Sequence, residues 1–97
     1  MDMEQLMAQA QNLQAKINEA QDSLAQMYVK GIADNGAVVV DMTGKYDIDS
    51  VVIAPNVVSL GAEKLAELVK NAYKDAKTKA DALIEKVMSS VTGGLEE

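Results

Sequence analysis

The sequence predicts an α+β fold in the order α-β-β-β-α, with a three-stranded antiparallel meander set between two long helices. Three observations carry this. The opening run repeats apolar residues in alternating steps of three and four. The middle is β-branched and broken by Asn35-Gly36 and Gly44-Lys45. The final third returns to helical spacing, with no glycine or proline from Ala62 to Thr92.

The first helix is predicted from about Met3 to Gln26–Tyr28. Asp2 supplies an N-cap, and Gln5 three residues on completes a capping-box pattern. Apolar residues fall at Met3, Leu6, Ala10, Leu13, Ile17, Ala20, Leu24 and Met27. Their mean step of about 3.5 residues is that of a coiled-coil seam, narrower than a globular helix face. Gln5, Gln9, Gln11, Gln14, Gln21 and Gln26 fill much of the remainder, with few ions. A long narrow seam on a small protein needs a partner helix. Leu6, Ala10, Leu13, Ile17, Ala20 and Leu24 are therefore candidate seam residues of a homodimer. The competing reading is that they form the core face of the first helix.

Tyr28–Ala33 reads as a short strand containing Gly31. Asp34-Asn35-Gly36 follows, and Asn-Gly before an apolar run signals a hairpin because both residues tolerate positive φ. Ala37–Thr43 and Tyr46–Ala54 are the next two strands, with the register at Gly44 left open by the sequence. Val38-Val39-Val40 and Val51-Val52-Ile53 are continuously apolar. Such runs predict cover on both sheet faces, one by a helix and the other by a second subunit. Pro55 stops the last strand, and Asn56–Ser59 reads as a single helical turn. The second long helix is expected from about Ala62 to Ser90, its broad apolar face covering the sheet near its start. Thr92-Gly93-Gly94 ends it, and Leu95–Glu97 is expected to fray.

At 97 residues the chain is read as one domain spanning 1–97. A chain this short buries only about 60–65% of its unfolded surface, so association would help it. With no Phe or Trp and three Tyr, the core must be aliphatic, and the six Met read as core filler. The same shortage of aromatics is poor for base stacking. Absence of Cys and His removes thiolate or imidazole metal sites, cysteine nucleophiles and histidine acid–base catalysis. Gly93-Gly94 lacks the Lys-Ser/Thr and the preceding strand of a phosphate loop. Asp41, Asp47 and Asp49 read as exposed sheet carboxylates, without the loop of a calcium site. No metal, cofactor, small-molecule substrate or enzymatic activity is expected. No apolar stretch reaches about 18 residues, and the N-terminus lacks the basic flank of a secretory signal. The expectation is a cytoplasmic protein without membrane association.

Nine Lys, no Arg and fifteen acids give a net charge of −6. The overall field does not attract nucleic acid, and the usual bidentate reader of guanine is missing.

The chain resembles the YbaB/EbfC family of bacterial nucleoid-associated proteins over nearly its whole length. Met7-Ala8-Gln9-Ala10-Gln11-Asn12-Leu13-Gln14-Ala15-Lys16 is similar to the family's M-x-Q-A-Q-x-M-Q-x-K opening. Val29-Lys30-Gly31, Asn35-Gly36, Val52-Ile53-Ala54-Pro55 and Leu68–Ala76 match further family patterns in order, and Thr92-Gly93-Gly94-Leu95 sits at the family's T-G-G-L. Ala54 stands where an Asp is usual and Lys74 where an Asn is. The resemblance implies a tweezer-like homodimer with protruding helices. It also implies binding of duplex DNA with little sequence specificity, and a role in nucleoid organisation or gene expression.

Lys70, Lys74 and Lys77 follow i, i+4, i+7 and share one helix face. They are candidate phosphate contacts, or else a solvated face offset by Glu67, Asp75 and Asp81. Lys16 matches a family position and is a fourth candidate, while Lys64, Lys79 and Lys86 rank lower. About 3–4 neutralised phosphates would make log K fall by roughly 3 per decade of salt. A second function class stays open, an acidic dimeric protein-interaction module with weak or no DNA binding.

Overall fold

The structure is a computed structural model that describes residues 2–93. Its order is α1 (Met3–Gln26), β1 (Tyr28–Ala33), β2 (Val38–Thr43), β3 (Ile48–Ile53), a one-turn helix α2 (Pro55–Val58) and α3 (Ala62–Gly93). The strands form one antiparallel sheet in the order β1-β2-β3. This is the α+β meander that the sequence predicts.

The core is the contact between α3 and the face of β1 and β2 turned towards it. Ala72, Ala76 and Ala80 recur every four residues along α3 and have no exposed surface. They meet Gly31 of β1, where an added Cβ would stand 1.9 Å from the Ala72 carbonyl oxygen and 2.5 Å from the Ala76 nitrogen. A small residue on each element lets strand and helix backbones approach closely. Val38, Val40 and Met42 from β2, Val57 from α2 and Leu68 from α3 complete the core.

The β1–β2 loop runs from Asp34 to Ala37, with positive φ at Asp34, Asn35 and Gly36. Ala37 is helical at φ −64°, so β2 starts at Val38 rather than Ala37. The predicted third strand also loses its first residues. Tyr46 has φ +69°, and β3 begins at Ile48. Thr43 is the cause. Its buried hydroxyl accepts the N–H groups of Lys45 and Asp47, each at 3.2 Å, and its carbonyl accepts that of Tyr46 at 3.0 Å. The turn is closed locally, and a bulge follows, with Asp41 opposite Ser50 but Met42 opposite Ile48.

α1 starts as its N-cap predicts, with the Asp2 carboxylate accepting the Glu4 N–H at 3.3 Å. Its C-terminal end is held at Gly44, whose N–H is shared between the Leu24 and Met27 carbonyls, each at 3.0 Å. The seam residues divide accordingly. Ala20 and Leu24 are buried, Leu13 and Ile17 half-buried, Leu6 and Ala10 exposed. Met3 and Met7, expected as core filler, are also exposed, while Met42 is fully buried. Among the described residues the first half of α1 has no neighbour to bury against. The molecule measures 67 × 19 × 16 Å, with a radius of gyration of 19.0 Å. A compact chain of this length has about 13 Å.

α3 overlies β1 and β2, leaving Ile48, Val51 and Val52 of β3 open, while Ile53 packs against the core. Ile48, Val51 and Val52 are 51%, 43% and 58% exposed. The cover expected on both faces is therefore incomplete within one chain. α3 continues to Gly93, beyond the expected end near Ser90. The predicted stop at Gly94 and the frayed Leu95–Glu97 lie outside the described residues.

Candidate nucleic-acid interface

Packing on one side of α3 dictates what its other side offers. Ala72, Ala76 and Ala80 face the sheet, so at about 100° per residue Lys70, Lys74 and Lys77 lie roughly 100–160° round the helix. All three are exposed and form one stripe. Among the described residues the lysines that pair with a carboxylate are Lys30, with Asp41 at 3.6 Å, and Lys79, with Asp75 at 3.0 Å.

Two acids that the sequence sets against the stripe are engaged elsewhere. Asp75 accepts the Ile32 N–H at 2.9 Å and pairs with Lys79. The Ile32 N–H is the main reason its carboxyl lies below the ordinary carboxylate value, with Lys79 adding to it. Asp81 accepts a hydrogen bond from the Tyr46 hydroxyl. That bond is the principal cause of a raised Tyr46 pKa, with desolvation and the nearby Asp81 charge acting in the same direction. The stripe therefore carries three lysines without ion-pair partners among the described residues.

Lys16 does not join the stripe. It lines a groove of about 550 Å³ between α1 and the far end of α3, with Glu19, Ala20, Ser23, Met27, Leu83, Lys86 and Val87 among its walls. The structure thus places Lys16 on the same groove as Lys86, a residue that helical spacing alone ranks low. Lys86 stands nine residues beyond Lys77, about 14 Å along the axis. No local signal reveals this placement, because it depends on α1 folding back against α3. Lys79 is committed to structure, since its ammonium also donates to the Lys30 carbonyl at 2.7 Å.

The three sheet aspartates do not gather. Asp41 is half-buried rather than exposed, receiving the Ser50 hydroxyl at 2.7 Å besides Lys30, while Asp47 and Asp49 are exposed. Among the described residues no group of three or more carboxylates is arranged to hold a metal ion. No described helix is long and apolar enough to cross a membrane.

The chain is 43% identical over 91 residues to a nucleoid-associated protein of Bradyrhizobium diazoefficiens, covering 93% of this chain and 86% of that one. It is 39% identical over 97 residues to a nucleoid-associated protein of Chloroflexus aggregans, covering 99% of this chain and 97% of that one. The crystal structure of an uncharacterized Helicobacter pylori protein shares the fold, with a TM-score of 0.64 over 91% of this chain and 98% of that one, at 14% identity. The sequence pattern of the YbaB/EbfC DNA-binding family matches residues 1–95, and the chain is a member of that family.

Proposed function

We propose that the protein is a nucleoid-associated DNA-binding protein that acts as a homodimer and holds duplex DNA through phosphate contacts with little sequence preference. Membership of a DNA-binding family supports DNA as the partner. The observation that carries the mechanism is the exposed, unpaired stripe of Lys70, Lys74 and Lys77 opposite the sheet-facing side of α3. Lysine acts as a point charge towards phosphate and carries no base code, so such a stripe positions a duplex without reading it. Two copies carry twice the chain's −6, so attraction is local to the stripes and short-ranged in salt. Lys16 and Lys86 supply a second pair of cations further along α3. The location that goes with this function is the cytoplasm, at the nucleoid.

The exposed half of α1, with Met3, Leu6, Met7 and Ala10, favours a second reading in which an acidic dimer engages a protein helix. Fluorescence anisotropy on a labelled duplex of about 30 bp, titrated from low to physiological salt, separates the two. Binding that weakens steeply with salt supports the first reading. Flat anisotropy at the lowest salt, on folded protein, rejects it in favour of the second.

A further inference from the structure

The packed face of α3 outruns the sheet. Ala72, Ala76 and Ala80 lie against the strands with no exposed surface. The same face continues through Leu83, Val87 and Val91, in steps of three and four residues. There it meets α1 alone, and all three side chains stay half-buried. Met27 and the small residues Ala20 and Ser23 of α1 form the opposite wall. Between the two helices lies the groove of about 550 Å³. Small-ligand sites measure roughly 300–1,000 Å³, are lined mainly by apolar groups with a few polar ones, and recur between helices.

The charges of the groove are placed on its banks. Lys16 stands on the α1 side and Lys86 on the α3 side. Neither pairs with a carboxylate among the described residues, although Glu19 lies one turn from Lys16 on the same wall. Two lysines against one glutamate leave the groove at +1, on a chain whose net charge is −6. Lysine stems line apolar surface while their ammonium heads stay in water, so these cations suit a ligand whose charged end is at the rim.

We propose that the groove binds a single-chain aliphatic carboxylate, with the hydrocarbon laid along Leu83, Val87 and Met27 and the carboxylate at Lys16 and Lys86. The floor that α3 contributes is one residue wide, which fits an unbranched chain. An amphipathic helix presents a broader apolar stripe, of three to four residues per two turns. From Lys16 to Met27 the α1 wall is eleven residues long, about 16 Å of helix. One negative charge balances +1, whereas a phosphate dianion would leave a charge uncompensated beside Glu19. The proposal does not depend on the DNA reading above, and its test uses no duplex.

The full chain, with its methyl groups labelled for NMR, is titrated with sodium dodecanoate below its micelle-forming concentration. The expected result is a one-site shift of the Leu83, Val87 and Val91 methyls, with a dissociation constant of about 1 mM or tighter. Dodecyltrimethylammonium, of the same chain length and opposite charge, should bind at least tenfold more weakly. Lys86→Glu, an exposed change, should weaken dodecanoate at least tenfold and strengthen the ammonium ligand. Equal affinity for the two ligands, or an unchanged dodecanoate affinity in Lys86→Glu, overturns the assignment of the charged end. Shifts that spread over the sheet or need more than one equivalent mean detergent-like binding and overturn the site. No shift at all also overturns it, and in a folded dimer gives the groove to a second copy of the chain.

Discussion

The carboxylate of Asp75 on α3 accepts the backbone N–H of Ile32 on β1 at 2.9 Å, across 43 residues of chain. A helical side chain thereby takes up an outward N–H of an edge strand. The salt bridge from Asp75 to Lys79 is formed as the i,i+4 spacing predicts. Its larger effect is to aim both side chains at two outward backbone groups of β1, the Ile32 N–H and the Lys30 carbonyl.

Asp75→Ala should cost about 1 kcal/mol, the usual net worth of such a bond, which lowers the melting temperature of a chain this size by about 4–8 °C. The effect also has a pH signature. The folded pKa of Asp75 is depressed, so its contribution is present above the ordinary carboxylate value and is lost as pH falls through the folded one. Denaturant titrations across the acid range should show the difference between parent and variant shrinking as pH falls. A difference that stays constant down to the lowest pH at which the parent folds would refute the assignment.

Gly31→Ala is expected to be among the most damaging single-methyl changes in the chain. The new Cβ meets backbone atoms of Ala72 and Ala76 rather than a flexible side-chain end, so α3 must shift off the sheet. Overpacking costs about 1–3 kcal/mol, and a clash with backbone belongs at the upper end of that range. Gly36→Ala makes a useful comparison, because an added Cβ there has open space and its strain comes only from φ +96°. Thermal melts of the two variants should rank them in that order.

Replacing Lys70, Lys74 and Lys77 together by Gln should leave the fold intact, since all three are exposed. Each lost phosphate contact reduces the slope of log K against log salt by about 0.9, so the triple variant should lose up to about 2.7 for each protomer that contacts the duplex. Lys16→Gln with Lys86→Gln tests the groove lysines separately, with an expected loss of up to about 1.8 for each protomer that contacts the duplex. Anisotropy titrations at several salt concentrations measure both slopes. An unchanged slope in the triple variant would remove the stripe from the interface.

Tyr46 links the β2–β3 turn to α3 through Asp81. Its folded pKa is raised, chiefly by that hydrogen bond. For such a group the stabilisation is fully present below the unfolded pKa and is lost as pH rises through the folded one. An absorbance titration of the three tyrosines should contain a late phenolate transition, and Tyr46→Phe should abolish it. The same variant should flatten the alkaline loss of stability.

Much of the fold was legible because its signals are local. The run of Met3 to Met27, the turn residues around Asn35-Gly36 and the period of α3 each specify an element from within a few residues of itself. The β3 boundary was not legible, because the Thr43 hydroxyl captured Lys45 and Asp47 and drew Tyr46 out of the strand. Within the candidate site, spacing placed Lys70, Lys74 and Lys77 on one face. It could not tell that Asp75 and Asp81 would be drawn away to Ile32 and Tyr46.

The sequence by itself determined the element order, the lysine stripe and the apolar repeat of α1, since periodicity along one element needs no second element to define it. Only the tertiary structure decided which half of that repeat is consumed, that Lys16 and Lys86 line one groove, and that α3 side chains bond outward backbone groups of β1. Those outcomes depend on how closely α3 can settle on β1, a distance set jointly by Gly31, Ala72 and Ala76 from parts of the chain some 40 residues apart.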